Sequence, residues 1–237
     1  MFKTSYQKHK IIKIHFLYLM KEKIITDDGS FSLYDTSLNE YYHSKKGAYS
    51  ESIHVYINNG VDYWFKNNPE KKICRIFELG FGTGLNALVT KRYAEENKLK
   101  LKYFSIEKYP LTNSQTQLIK PKCLSISEEN IYNSSWNHEL NLSSFFSIKK
   151  IHDDYFKFNF IENYDVIFYD AFAFHAQPLM WKNEALKKSI NILNKKGVWV
   201  TYCSKSDVRR VLESFNVDVK KVPGFLQKRE MLRVIKN

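Results

Sequence analysis

Gly80, Gly82 and Gly84 fall at alternate positions directly after Glu78, in the run Phe77-Glu78-Leu79-Gly80-Phe81-Gly82-Thr83-Gly84-Leu85-Asn86. The apolar stretch Ile73-Cys74-Arg75-Ile76-Phe77 leads into them and a helix-like segment over 84–97 follows. Strand, glycine turn and helix in that order make a nucleotide-binding loop. Glycine reaches positive φ without strain and lets a ligand approach the backbone closely. A carboxylate at Glu78 would repel a pyrophosphate and favour a cationic group. S-adenosyl-L-methionine, with its ammonium and sulfonium, meets that preference and points toward methyl transfer. A glycine triplet alone also occurs in plain strand–helix turns. A second acid favours the ligand reading: Leu101-Lys102-Tyr103-Phe104-Ser105-Ile106-Glu107 alternates like a strand and ends on a carboxylate suited to both ribose hydroxyls.

From Ile73 onward the alternation is regular. It predicts strands over 73–79, 101–107, 147–152, 164–170, 197–203, 216–222 and 230–236, with helices over 84–97, 111–120, 180–193 and 205–215. Strands alternating with helices imply an α/β fold, with a mostly parallel seven-stranded sheet covered by helices on both faces. Crossovers should be right-handed. The last two strands, joined through Pro223-Gly224, read as a C-terminal β-hairpin. Near the start, Ile24-Ile25-Thr26 and Phe31-Ser32-Leu33-Tyr34 flank a turn at Asp27-Asp28-Gly29-Ser30, a small N-terminal hairpin. A helix is expected from Ser50 to Asn58, and Ser125 to Ser144 reads as the least structured stretch.

The chain of 237 residues is long enough for a complete core. The expected organisation is a single domain over 20–237, with 20–70 an N-terminal extension and 71–237 the Rossmann-like core. Residues 1–19 read as a dispensable extension ahead of Met20. The apolar stretch Ile11 to Met20 is too short to span a bilayer and is interrupted by Lys13 and His15. Cys74, Cys123 and Cys203 form no Cys-x-x-Cys pair, which fits a reducing cytoplasm. Neither they nor the seven histidines show a metal-ligand pattern. The net charge of +12 has two readings: a polyanionic partner, or a lysine-rich composition inherited from genomic base usage. Basic residues gather at both ends, as a phosphate footprint would require.

In open α/β sheets ligands bind beyond the carboxyl ends of the strands. Glu78, Glu107, Asp153 and Asp170 all fall at such ends. Asp153 suits an adenine amino group; the neighbouring Asp154 is the alternative, and either could simply cap a turn. Asp170 ends the buried run Val166-Ile167-Phe168-Tyr169 and opens Ala171-Phe172-Ala173-Phe174-His175, an acidic/aromatic loop. An amine under methylation must aim its lone pair at the methyl carbon, and an oxygen accepting its N–H does that aiming. Whether Asp170 also takes the proton stays open. Phe172, Phe174 and Trp181 are candidate stacking surfaces for an extruded base. Trp181 reads equally well as core, and His175 reads as a loop residue.

These residues carry a family resemblance. Phe77 to Asn86, then Ile106-Glu107-Lys108-Tyr109-Pro110-Leu111-Thr112, then Asp170-Ala171-Phe172-Ala173 with Pro178 and Met180-Trp181, are similar to the methyltransferase domain of the bacterial tRNA 5-methylaminomethyl-2-thiouridine biosynthesis enzymes. Val200-Thr201-Tyr202-Cys203-Ser204 with Val208-Arg209-Arg210, and Pro223-Gly224 with Lys228-Arg229-Glu230-Met231, extend the likeness. So do Asp28-Gly29-Ser30, His43, Gly47, Glu51-Ser52 and His54-Val55, so that it covers about residue 20 to the end.

The resemblance implies a class I S-adenosyl-L-methionine-dependent methyltransferase in the cytoplasm. It would act on the aminomethyl group of wobble uridine, in the anticodon region of tRNA. Carried over, Glu78, Gly80, Gly82, Gly84, Glu107 and Asp153 would hold the cofactor, Asp170 would face the amine, and Lys228 and Arg229 would meet phosphate or cofactor. Phe174 departs from the family's frequent proline. Many members add a C-terminal flavin-dependent oxidase domain. With the sequence ending at Asn237, the expectation is a stand-alone form that receives the aminomethyl group ready-made. The alternatives are a methyltransferase of a small amine metabolite and a non-catalytic RNA-binding module.

Overall fold

The computed structural model describes residues 21–226 and 228–237. The expected extension over 1–19 lies outside them. Strands β1 (Lys21–Ile25), β2 (Phe31–Asp35) and β3 (Glu40–Tyr41) form an antiparallel sheet in that order, one strand more than the expected hairpin. Asp28 in the β1–β2 turn accepts hydrogen bonds from Ser30 and from the Ser50 backbone (2.9 Å). Burial pushes its carboxyl up, but hydrogen bonds from Ser30, Ser50 and Thr26 outweigh it and hold the group well below the usual carboxylate range. Asp28 thereby ties the small sheet to the start of helix α1.

Helix α1 runs through Ala48–Ser52, Ile53–Asp62 and Tyr63–Asn67, its middle part with π-type bonding. The expected helix over 50–58 is therefore longer at both ends. Gly60 is a packing device: a Cβ there would meet Phe168 and Val200 at 3.3 Å. The missing side chain lets α1 lie close on the main sheet.

That sheet has eight strands in the order β10-β11-β9-β8-β4-β5-β7-β6. They are β4 (Ile73–Leu79), β5 (Lys100–Glu107), β6 (Glu139–Asn141), β7 (Phe146–His152), β8 (Tyr164–Tyr169), β9 (Leu193–Thr201), β10 (Val217–Pro223) and β11 (Glu230–Lys236). Strands β7, β5, β4, β8 and β9 run parallel, and β11 returns antiparallel against β9 through the expected hairpin. The expectation of seven strands is corrected by β6, which pairs antiparallel with β7. The segment read as unstructured also holds helix α4 (Ile126–Asn133), started by a capping box in which Ser125 and Glu128 bond each other's backbone.

The remaining helices are α2 (Leu85–Asn97), α3 (Asn113–Ile119), α5 (Asn183–Asn191) and α6 (Ser206–Glu213). The helix expected over 180–193 divides into a 3₁₀ turn, Pro178–Trp181, and α5. One apolar layer packs α1 and α2 onto the sheet through Tyr56, Trp64, Leu88, Tyr103 and Phe168; the other packs α5 and α6 through Leu186, Ile190, Leu212 and Trp199. Register aligns Leu79 with both Ile106 and Tyr169, and Glu107 with His152. The carboxyl ends of four parallel strands therefore meet along one edge. No helix among the described residues is long and apolar enough to cross a membrane.

Candidate active site

A cavity of ≈ 1280 Å³ opens at that edge, between the strand ends and the N-terminal sheet. Gly80 and Gly82 form part of its wall with φ of 89° and 50°. A Cβ on Gly80 would come within 3.0 Å of the Asp170 carbonyl oxygen, and one on Gly82 within 3.3 Å of the Tyr42 ring. Only bare backbone fits between β8 and the N-terminal sheet. Gly84 stands outside the wall, as the left-handed residue from which α2 starts.

Glu107 lines the cavity from the end of β5. It accepts the backbone N–H of Gly82 (3.3 Å) and of Tyr109 (2.8 Å). An ionised carboxylate has about four acceptor directions, so two remain for a diol. Asp153 and Asp154 both line the cavity. Asp154 is already engaged: Lys108 is 2.9 Å away and the Phe156 N–H is bonded to it at 2.9 Å. The Lys108 ammonium, helped by Phe156, holds the Asp154 carboxyl below its ordinary value. Among the described residues Asp153 accepts only the Asp154 N–H at 2.6 Å, which leaves it the better supplied with free lone pairs.

Asp170 follows β8 and meets the cavity beside α1 and α2. The Asn86 amide donates to it at 2.8 Å. Burial pushes its carboxyl up to about 7, opposed by the Tyr56 hydroxyl and the Asn86 amide; the Glu51 charge raises it and the Lys228 charge lowers it.

Glu78 corrects the sequence expectation. It is fully buried, is absent from the cavity wall, and accepts the Asn86 amide at 3.0 Å. Strand β4 is covered on both faces, so the acid ahead of the glycines points beneath α2. Burial pushes Glu78 up to about 8, with Ser105 opposing and the Asp170 charge adding to the rise.

Trp181 is also corrected. It is 3% exposed and packs edge-on against Tyr169 and Tyr202. Its Nε1–H donates to the Phe172 carbonyl at 2.7 Å, so it shapes the loop rather than offering a face. Phe172 does line the cavity, set edge-on to Tyr42 with centroids 4.8 Å apart. Lys228 lines it too, paired with Glu51 at 2.8 Å and lying over the Tyr202 ring. Arg229 is exposed and outside the wall. Phe174 packs under Lys205, and His175 pairs with Glu40 at 3.0 Å.

Sequence reasoning missed Tyr42, His43, Glu51 and Tyr56, which reach the cavity from the N-terminal sheet and α1, and gave no role to Asn86 or Tyr202. His43 is half-buried between Ser32 (2.8 Å) and Thr83 (3.5 Å), and desolvation pushes it down to about 4. The family likeness at His43 and Glu51 was the one available signal.

The residues present suit the donor expected from the glycine loop: bare backbone at Gly80 and Gly82, open acceptor positions on Glu107, and carboxylates to face positive charge. Fold and cavity together define a class I S-adenosyl-L-methionine-dependent methyltransferase. A profile described as S-adenosyl-L-methionine-dependent methyltransferase matches residues 124–237. The crystal structure of MnmC2 from Aquifex aeolicus superposes with a TM-score of 0.74 at 24% identity, covering 92% of this chain and 70% of that one. Spermidine synthase from Thermotoga maritima shares the fold more loosely, with a TM-score of 0.57 at 9% identity over 91% of this chain and 68% of that one.

Among curated relatives, the tRNA 5-methylaminomethyl-2-thiouridine biosynthesis bifunctional protein MnmC of Leptospira borgpetersenii is 32% identical over 210 residues. That match covers 82% of this chain and 32% of the relative. The Leptospira interrogans protein of the same name is 33% identical over 213 residues, with the same coverages. Over the matched region the chain is similar to these MnmC proteins. It spans about a third of the length of the curated relatives it matches.

Proposed function

We infer that this chain methylates the 5-aminomethyl nitrogen of wobble uridine in the anticodon region of tRNA, in the cytoplasm, giving 5-methylaminomethyl-(2-thio)uridine. One observation carries the reading: Asp170, half-buried and flanked by Asn86 and Phe172, shares a cavity with the glycine loop and Glu107. The relatives' printed name supplies the substrate. S-adenosyl-L-methionine, when bound, supplies an electrophilic methyl group. Glu107 would hold its ribose, Asp153 its adenine, and the backbone at Gly80 and Gly82 its amino-acid end.

Asp170 would accept an N–H of the incoming amine, so that the lone pair faces the donor. Such orientation can be worth on the order of 7–11 kcal/mol in the best intramolecular cases. A carboxyl near 7 also suits proton removal better than an ordinary one. An alkylammonium near 10.4 stands about three units above it, roughly 4 kcal/mol, against roughly 9 for an unperturbed carboxyl. Phe172 and Tyr42 offer apolar surface to the base. Arg229, exposed in the loop between β10 and β11, would meet the phosphate backbone, while Lys228 stays paired with Glu51 in the cavity wall.

The test uses tRNA from cells that lack this wobble methylation. Incubation with protein and donor, followed by nucleoside mass analysis, should yield the methylaminomethyl nucleoside. Transfer to small amines with none to tRNA would favour a metabolite methyltransferase and sink this reading.

A further inference from the structure

Asn86 lies one residue into α2, lines the cavity and is only 4% exposed. Both of its amide hydrogens are committed. Nδ2 donates to Glu78 Oε1 at 3.0 Å and to Asp170 Oδ2 at 2.8 Å. Asp170 must be ionised to accept an amine N–H, and an ionised carboxylate only accepts, so the end of the amide facing it is nitrogen. Oδ1 is left buried with no hydrogen-bond partner among the described residues. An orphaned acceptor beside a reaction centre calls for an explanation, and a ligand donor is the simplest one.

Two nearby backbone acceptors are occupied. The Ala171 carbonyl accepts the Tyr202 hydroxyl at 2.9 Å, and the Phe172 carbonyl accepts the Trp181 indole at 2.7 Å. A primary amine has two N–H bonds and one lone pair. If Asp170 accepts the first N–H, the second needs another acceptor, and Asn86 Oδ1 is the adjoining one that is free. Glu78 then has a positioning role: it holds the amide so that oxygen rather than nitrogen is available.

Building on the amine-methylation reading above, we propose that Asn86 Oδ1 and Asp170 form a two-acceptor cradle for a primary amine, and that this cradle stops the reaction after one methyl transfer. The nitrogen lone pair forms the N–C bond as the methyl–sulfur bond breaks, and the breaking pair stays on sulfur. The nitrogen, now positive, releases one hydrogen to Asp170 or to water. The product is a secondary amine with a single N–H. On a second encounter its methyl group would replace a hydrogen against one of the two acceptors, leaving that oxygen buried and unpaired. A site built for N–H bonds rejects an analogue lacking one far more strongly than an apolar pocket discriminates by size.

Wild type and Asn86→Ala are compared on tRNA from cells lacking this methylation. Nucleosides are analysed by mass after short and long incubation, and S-adenosyl-L-methionine binding is measured by calorimetry. The variant should keep its donor affinity, lose rate on the order of tenfold or more, and accumulate a dimethylated nucleoside that wild type does not make. If Asn86→Ala no longer binds donor, Asn86→Ser is read in the same way. A donor-binding variant with the wild-type rate and only monomethylated product overturns the cradle alone. A wild type that transfers nothing to tRNA overturns the underlying reading, and the cradle with it.

Discussion

Replacing Glu78 by glutamine preserves its shape and removes its charge. The carboxyl is fully buried, accepts the Asn86 amide, and is pushed up by burial to about 8. Its ordinary value is 4.5. Between those values the unfolded chain has released a proton that the native protein still holds, so native stability falls as pH rises. The stabilising, protonated form is fully present below the unfolded value and is lost on the way to the folded one. Each unit is worth about 1.4 kcal/mol, so at about pH 7 the loss reaches about 3 kcal/mol. Glutamine does not titrate, so Glu78→Gln escapes it. Urea denaturation of both proteins from about pH 5 to about pH 8 reads the difference. The two should be nearly equal at the acid end, with the variant more stable by about 3 kcal/mol near neutrality. Drift from groups common to both proteins, such as His43 with its depressed value, cancels in the comparison. A difference that stays constant across the range would show that Glu78 is ionised throughout, and the reasoning would fail.

Asp170→Asn removes the charge and half the acceptor capacity facing the amine. Its kcat should fall on the order of 10²–10⁴-fold with donor affinity unchanged, and single-turnover kinetics would expose an unaffected rate. Gly82→Ala puts a Cβ on a backbone with φ of 50°, 3.3 Å from the Tyr42 ring. It should destabilise by about 1–2 kcal/mol and weaken S-adenosyl-L-methionine binding; calorimetry showing wild-type affinity would remove Gly82 from the donor site. If the basic exterior meets tRNA phosphates, tRNA affinity should fall linearly on a logarithmic salt axis, and a flat titration would refute that footprint.

The parallel core was legible because strands buried on both faces leave unbroken apolar runs, as in Val166 to Tyr169, and glycines mark the loop between β4 and α2. Strand β6 and helix α4 were not: β6 is three exposed residues, and α4 buries Glu128 and Ile131 while Ile126 faces outward, so neither carries an apolar periodicity. The Ser125-x-x-Glu128 signature was nonetheless present and is satisfied in the capping box. Nor does Gly60 announce its role in the sequence. A glycine that breaks an isolated helix can equally mark where that helix touches a sheet, and only the packing on Phe168 and Val200 decides.

Glu78 and Trp181 expose a different limit. Position at a strand end establishes which edge of the sheet a residue occupies, but not whether its side chain faces the cavity or the layer beneath. Tyr42, His43, Glu51 and Tyr56 carry no local pattern at all. They become site residues through the Asp28 turn and the seating of α1, contacts made between segments far apart in sequence.

The distribution of charge follows the same division between interior and exterior. A chain with a net charge of +12 nevertheless lines its cavity with seven carboxylates against four lysines. A site built for a polyanion would not be lined in that way, whereas one built for a sulfonium donor and an amine would. The cavity lysines are also largely neutralised where they stand: Lys21 by Asp35, Lys108 by Asp154 and Lys228 by Glu51. Positive charge is thus kept for the outer surface, where a nucleic-acid backbone would be met, and the interior stays hospitable to cations. For a nucleotide substrate this separation carries a geometric requirement. Phosphates must remain outside while the modified base enters, so the nucleoside has to turn out of its stack to reach Asp170. Under the proposed function, the wall formed by Tyr42 and Phe172, whose rings pack edge-on, is therefore the surface against which a base carrying an amine, rather than RNA in general, would be selected.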